Sequence, residues 1–74
     1  MSGRPVKHSL SLQGHRTSVS LEDIFWREFR EIAMREGKPI NVLASEIDAG
    51  RPPDVGLASA IRVFILEQAL LRER

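Results

Sequence analysis

The stretch of sequence that decides the fold is HRTSVSLEDIFWREFREIAMREGKPINVLASEID, residues 15–48. It opens with alternating polar and apolar residues, in which Val19 and Leu21 show the period of two that is typical of a half-buried strand. Apolar residues then recur at the spacing of an amphipathic helix as far as Gly37, and glycine commonly ends helices. After this glycine, apolar residues again recur at helical spacing. The stretch therefore predicts one strand followed by two helices.

The residues before this stretch predict a partner for the strand. Leu10 and Leu12 also recur at a period of two, and Gln13-Gly14 is a candidate two-residue hairpin turn between the two alternating segments. One face of this hairpin is mostly apolar and consists of His8, Leu10, Leu12, His15, Thr17 and Val19. The other face is entirely polar, has no acid, and consists of Lys7, Ser9, Ser11, Arg16, Ser18 and Ser20. Because antiparallel sheets commonly bury one face and expose the other, we expect the polar face to be exposed.

The rest of the chain predicts a flexible start and a third helix. Ser20-Leu21-Glu22-Asp23 approximates a capping box, which places the start of the first helix at Leu21. After residue 48, the two prolines of AGRPPDVG cannot continue a helix, whereas LASAIRVFILEQALL returns to helical spacing. The predicted organisation is an arm over 1–6, a strand or hairpin over 7–20, and helices over 21–36, 39–49 and 56–72.

The size of the chain limits how it can be stabilised. Its 74 residues form one domain, and a domain of this size buries only about 60% of the surface that its unfolded chain exposes. The sequence has no cysteine and two histidines, so neither disulfides nor a closed zinc site is available. We therefore expect no metal and no cofactor, and we expect a second copy of the chain to supply further stabilisation.

Several classes of protein are disfavoured by composition and motifs. No apolar run approaches the roughly 20 residues of a membrane helix. The N-terminus lacks the apolar core of a secretory signal, so we expect no membrane association and a cytoplasmic location. The sequence has no cysteine nucleophile, no Gly-rich phosphate loop and no His-Glu-x-x-His motif, and its strand serines lack a nearby activating base. We therefore do not expect an enzyme.

Charge is distributed unevenly along the chain. Residues 1–20 contain Arg4, Lys7 and Arg16 and no acid, which leaves eight basic and ten acidic residues for 21–74. A basic first quarter in a chain of net charge +1 suggests a segment that faces a polyanion. From charge alone, a solvated basic tail is the alternative.

Taken together, the order of these elements resembles the ribbon-helix-helix superfamily, which includes the Arc and Met repressors. The stretch quoted above and the later LASAIRVFIL are similar to a bacterial ribbon-helix-helix domain family with a His-Arg-Thr-Ser strand start and a Phe-Trp pair early in its first helix. The resemblance covers about residues 7–70. It implies a mainly α fold with a short β ribbon, built as an intertwined homodimer with intermolecular antiparallel strands.

The resemblance also implies sequence-specific binding to double-stranded DNA, as in transcriptional regulators whose two-stranded ribbon enters the major groove. The base-reading residues on this chain are then Arg16, Ser18 and Ser20, of which arginine suits the O6 and N7 atoms of guanine. Phosphate contacts are expected from the basic arm and from the helix start after Gly37, and comprise Arg4, Lys7, Lys38 and Asn41. The expected core of the dimer comprises Val19, Leu21, Phe25, Phe29, Ile61 and Phe64.

Two structural questions and one functional alternative remain open at this point. The first question is whether residues 7–12, which precede the ribbon of the simplest family pattern, form an additional strand. The second is whether residues 39–48 or residues 57–70 correspond to the second helix of the family. The alternative function is a dimeric protein-interaction module, adaptor-like or antitoxin-like, without DNA binding. The weak net charge and the acidic remainder of the chain motivate this alternative.

Overall fold

The computed structural model describes residues 3–73. Its elements are β1 (Val6–Leu12), β2 (His15–Leu21), α1 (Asp23–Arg35), α2 (Ile40–Gly50) and α3 (Leu57–Arg72). The predicted class, mainly α with a short β ribbon, is confirmed, while the homodimer remains a prediction. Residues 1 and 2 of the expected arm lie outside the described residues, and β1 already begins at Val6, which pairs with Leu21.

The two strands form an antiparallel hairpin within one chain. Leu12 lies opposite His15 and Leu10 opposite Thr17, which is the register expected for a turn at Gln13-Gly14. Gln13 and Gly14 both have positive φ, 51° and 87°, as in the type I′ turn that matches the twist of paired strands. This backbone region is ordinary for glycine but unfavourable for glutamine. The hairpin therefore accepts local strain at Gln13.

The hairpin buries one of its faces. Leu10, Leu12, Val19 and Leu21 are at most 8% exposed, and they form the hairpin's part of the hydrophobic core. All six side chains of the opposite, polar face are exposed. The division into an apolar and a polar face is therefore confirmed, although His15 and Thr17, near the turn, are exposed on the apolar side.

His8 packs against the first helix. Its ring stacks on Trp26 with 3.8 Å between ring centroids and 5° between ring planes. Its Nε2 atom is buried and has no hydrogen-bond partner among residues 3–73. The same residues contain no group of three His, Cys, Asp or Glu side chains that could hold a metal ion. His8 therefore contributes packing between β1 and α1.

The first helix begins later than the sequence suggested. Leu21 is the last residue of β2 and is fully buried, and Glu22 occupies the cap position without a side-chain capping hydrogen bond. The capping role expected of Ser20 is therefore wrong. The reason is that strand alternation continues through Leu21, which directs this residue into the core and leaves Ser20 on the exposed face.

Gly37 ends α1 as expected. Its φ of 66° lies in the left-handed region that favours glycine. The N–H of Gly37 donates to the carbonyl of Met34 (3.1 Å), and the N–H of Lys38 donates to the carbonyl of Ala33 (2.9 Å). These two bonds are those of a Schellman motif, which satisfies carbonyls at the end of the helix.

The core lies between the hairpin and the three helices. The buried helical residues are Phe29, Ile32 and Ala33 of α1, Leu43 and Ala44 of α2, and Ile61 and Ile65 of α3. α2 contacts β1 and α3 contacts β2, while α1 contacts both other helices. Of the six residues expected in the dimer core, Val19, Leu21, Phe29 and Ile61 are already buried within one chain, whereas Phe25 and Phe64 are half-buried. No helix in the described part of the chain is long and apolar enough to cross a membrane.

Candidate nucleic-acid interface

The polar face of the hairpin brings the three residues expected to read bases together. Arg16, Ser18 and Ser20 alternate along β2, so they project from the same side of the strand, and all three are exposed. Residues 3–21 contain no Asp or Glu. The face is therefore a continuous polar surface with a positive charge and no fixed negative charge.

β1 adds a second row of side chains to this face. Lys7 lies opposite Ser20, and Ser11 lies opposite Arg16. Lys7, which the sequence placed on the polar face of the hairpin, lies within β1. Arg4 is exposed in the segment that precedes this strand. Of the expected phosphate contacts, Lys7 is thus fixed next to the expected base readers by strand pairing.

The outer edge of β2 carries backbone groups that point away from β1. In a hairpin with a two-residue turn, the residue pair next to the turn is hydrogen-bonded, and the following pairs are alternately non-hydrogen-bonded and hydrogen-bonded. Arg16, Ser18 and Ser20 belong to non-hydrogen-bonded pairs, so their backbone N–H and C=O groups point away from β1. The carbonyl of Ser20 accepts a hydrogen bond from Nη2 of Arg62 at 3.4 Å. The outward backbone groups of Arg16 and Ser18 have no hydrogen-bond partner among residues 3–73. This edge is therefore open at its centre.

Arg62 of α3 forms an ion pair with Glu22, the acid that directly follows β2 in the chain. Its Nε and Nη2 atoms donate to Oε1 of Glu22 at 3.0 and 2.8 Å, and its guanidinium lies 5.5 Å from the centre of the Phe25 ring. The hydrogen bond from Arg62 lowers the pKa of Glu22 below its ordinary value of 4.5. The carboxylate beside the end of β2 therefore stays ionised at neutral pH and is matched by a cation.

The start of α2 lies beside the outer edge of β1. The side-chain oxygen of Asn41 accepts a hydrogen bond from the backbone N–H of Ser11 at 3.0 Å. Pro39 occupies the cap position just before α2, and its carbonyl accepts hydrogen bonds from Val42 and Leu43. The first two amides of the helix, those of Ile40 and Asn41, have no acceptor among residues 3–73. Pro39 has no backbone N–H, but it lies outside the helical turn and therefore removes no donor from α2.

Lys38 is turned toward carboxylates in this structure. Its Nζ atom lies 2.7 Å from Oε1 of Glu46 and 3.3 Å from Oε1 of Glu36. The hydrogen bonds that Lys38 donates, first to Glu46 and then to Glu36, raise the pKa of Lys38 above its ordinary value of 10.5. One cation therefore faces two acids, which reduces the attraction of this helix start for an anion.

Sequence reasoning missed the contacts that position the interface. Nothing in the local sequence pairs Arg62 with Glu22, which lies 40 residues earlier, or Asn41 with Ser11, which lies 30 residues earlier. An exposed arginine on a helix and an asparagine near a helix start are common, so neither residue carries a signal of its own. These contacts follow from the packing of α2 under β1 and of α3 under β2.

Comparison with protein families agrees with this geometry. The model of the ribbon-helix-helix domain family matches residues 5–69 of the chain. The chain therefore belongs to the ribbon-helix-helix domain family. The matched region includes β1 and most of α3, so both features that seemed to depart from the simplest pattern lie within it.

Neither the search of curated proteins nor the search of solved structures found a match. Domains of the ribbon-helix-helix family are typically DNA-binding transcriptional regulators or antitoxins, and they typically dimerise. They are in general regulatory modules without enzymatic activity.

Proposed function

We propose that this protein is a sequence-specific DNA-binding transcriptional regulator that acts as a homodimer and inserts a two-stranded β ribbon into the major groove of double-stranded DNA. The observation that carries this proposal is the exposed, acid-free polar face of the hairpin, with Arg16 between serine side chains. The major groove admits a two-stranded ribbon, and its base edges present hydrogen-bonding groups that such side chains can reach.

Arg16 is the principal base reader in this proposal. Its guanidinium has the fork of donors that matches the O6 and N7 atoms of guanine. The hydroxyls of Ser18 and Ser20 donate or accept at several base edges, so they adjust the preference rather than define it. Ser20 is available for this role because its side chain does not cap α1.

The open edge of β2 supports a dimer. Pairing of this edge with the same edge of a second copy, about a two-fold axis near Ser18, gives the outward backbone groups their partners. β1 would then flank the central pair of strands on each side. The exposed apolar side chains of Val63, Leu66 and Leu70 on α3 also favour burial against another chain.

The phosphate contacts of the proposal surround this ribbon. Arg4 and Lys7 approach the DNA from the N-terminal side, and the free amides at the start of α2, with the side chain of Asn41, provide donors for one phosphate. Lys38 can bind a phosphate only if its contacts with Glu36 and Glu46 are replaced by contacts with the phosphate. Exposed ion pairs of this kind contribute about 0–1 kcal/mol each, so the exchange is energetically accessible.

The experiment that tests the proposal starts with selection of bound fragments from the source genome. The affinity of the protein for the selected sites and for unrelated DNA is then measured over a series of salt concentrations. We expect a palindromic or tandem site and an affinity that falls steeply with salt, because each phosphate contact releases counterions. Absence of enrichment, with no binding even at low salt, would contradict the proposal.

The role of Arg16 is tested with a matched pair of variants. Arg16→Ala should cost about 1–3 kcal/mol on the selected site and reduce discrimination between bases. Arg30→Ala removes an exposed arginine of α1, which is not part of the hairpin, and serves as the control. Equal losses for Arg16→Ala on all sequences would assign Arg16 to the phosphates instead of the bases.

A specific observation also favours the alternative, a protein-interaction module. The open groove between α2 and α3 has an apolar lining that includes Leu43, Ile47, Val63 and Phe64. A protein partner could dock here without using the polar face. Co-purification of one stoichiometric partner, together with no retention on DNA at low salt, would favour this function over DNA binding.

A further inference from the structure

The face of β1 that lies beside the proposed base readers has no role in the proposal so far beyond Lys7. Ser9 and Ser11 project from this face and are exposed. Strand pairing sets Ser9 opposite Ser18 and Ser11 opposite Arg16. These pairs do not exchange backbone hydrogen bonds, and side chains are closest together in such pairs.

This register links the two strands as a contact surface. Side chains directly opposite each other on one face of an antiparallel pair have their Cβ atoms about 4.5–5.5 Å apart. A macromolecular surface that touches Arg16 and Ser18 therefore comes within reach of Ser11 and Ser9 as well.

The chemistry of the β1 face suits phosphate. Serine hydroxyls and lysine ammonium groups are common donors to phosphate oxygens. The absence of Asp and Glu from residues 3–21 removes the repulsion that an acid would cause on this face. At the turn end of β1, the bond between Asn41 and Ser11 fixes the strand edge against the start of α2, so the β1 face continues toward the free amides of Ile40 and Asn41.

The width of the DNA groove decides where β1 lies. Neighbouring strands are about 4.8 Å apart, so four strands in the order β1-β2-β2-β1 place the two outer strand axes roughly 14 Å apart. The major groove is about 12 Å wide. The two β2 strands fill its centre, and the β1 strands then lie over its rims, where the phosphates are.

We propose that the outward face of β1, formed by Lys7, Ser9 and Ser11, is the phosphate-contacting flank of the DNA interface. This inference rests on the proposed function and adds to it a strand that binds backbone while β2 reads bases. The contribution of this flank to DNA affinity is independent of the DNA sequence, because phosphate contacts do not distinguish bases directly.

The test changes the charge at Ser9 and compares it with the same change on the opposite side of the hairpin. The variants are Ser9→Lys and Ser9→Asp, and the controls are Thr17→Lys and Thr17→Asp. Thr17 is exposed, lies in the same hairpin, and projects from the other face. Circular dichroism and sedimentation identify the variants that keep the fold and assembly of the parent protein. Affinity is measured for the selected site and for unrelated duplex DNA across a salt series.

Ser9→Lys should raise the affinity several-fold on both DNAs. Because the proposed dimer carries the change twice, the slope of log affinity against log salt should steepen by about two units. Ser9→Asp should lower the affinity for both DNAs, whereas the Thr17 variants should leave the affinity and the salt slope close to those of the parent protein. Ser9 variants that behave like the Thr17 variants would overturn the inference. Ser9 variants that change the ratio between the two DNAs would also overturn it, because β1 would then meet bases.

The failure of this inference is distinguishable from that of the proposed function. Loss of discrimination in Arg16→Ala, without any effect of charge at Ser9, would remove the flank and leave the base reader in place. Absence of DNA binding by the parent protein at low salt would overturn both. A Ser9→Lys variant that gains affinity while Arg16→Ala loses discrimination would support the two roles separately.

Discussion

The side-chain oxygen of Asn41 accepts a hydrogen bond of 3.0 Å from the outward backbone N–H of Ser11, and this contact joins the outer edge of β1 to the first turn of α2. A free strand edge offers unpaired donors to other chains, so the contact also closes the turn end of this edge. The corresponding edge of β2 is open at Arg16 and Ser18. The two edges of one hairpin are therefore not equivalent, and the difference favours β2 as the edge that meets a second copy.

Two substitutions separate the structural role of Asn41 from its proposed contact with DNA. Asn41→Ala removes the acceptor and should lower the free energy of unfolding by about 0.5–1.5 kcal/mol. Asn41→Asp keeps an acceptor and adds a negative charge near the start of a helix, which is favourable for the helix, so stability should be retained. Its DNA affinity should nevertheless fall, because the new charge faces phosphate. Denaturant unfolding and DNA titrations check both; an Asn41→Asp variant with unchanged DNA affinity would remove Asn41 from the interface.

The strain at Gln13 predicts a stabilising substitution. Asparagine tolerates positive φ better than glutamine does, and Asn-Gly is the preferred type I′ sequence. Gln13→Asn should raise the free energy of unfolding by up to about 1 kcal/mol. In a domain of this size that corresponds to roughly 4–8 °C in Tm. Gln13→Val should shift the Tm in the opposite direction, since β-branched residues are outliers at positive φ. Equal Tm values for all three proteins would show that the turn does not contribute to the stability measured.

The asymmetry of the strand edges predicts which proline disrupts the proposed dimer. Ser9 and Ser18 lie directly opposite each other, and the backbone N–H of each points out of the hairpin. Proline at either position therefore spares the hydrogen bonds within the hairpin, as edge prolines do in other sheets. Ser18→Pro should weaken dimerisation, whereas Ser9→Pro should leave it intact. Sedimentation equilibrium over a range of protein concentrations distinguishes them, and the reverse result would place the dimer on β1.

The ion pair between Glu22 and Arg62 predicts a component of acid sensitivity. The hydrogen bond from Arg62 lowers the pKa of Glu22 in the folded chain below the ordinary value of 4.5. The ion pair therefore contributes its full stabilisation at pH values above 4.5, and this contribution is lost as the pH falls through the lowered pKa. The stability advantage of the parent protein over Glu22→Gln should therefore shrink as the solution is acidified below pH 4.5. Glu31→Gln is the control, because Glu31 is an exposed glutamate of α1 without an ion pair among residues 3–73. An advantage that does not change with pH would mean that Glu22 acts through packing alone.

Much of the fold was predictable because local patterns dominate it. The alternation around Val19, the turn at Gln13-Gly14 and the helix end at Gly37 each depend on a few neighbouring residues, and the structure has all three. The start of α1 was predicted wrongly because a capping signal at Ser20 competed with strand alternation through Leu21. Burial of the Leu21 side chain decided between them, and burial is not a local property.

The candidate site divides in the same way. The face shared by Arg16, Ser18 and Ser20 follows from the period of two, so the sequence by itself determined which side chains are presented together. Only the tertiary structure decided that Lys38 turns to Glu46, that Asn41 holds Ser11, and that Arg62 neutralises Glu22. The physical reason is that strand and helix periodicities are set by backbone geometry within a few residues. Contacts between residues 30 or 40 positions apart depend on how the helices pack beneath the hairpin.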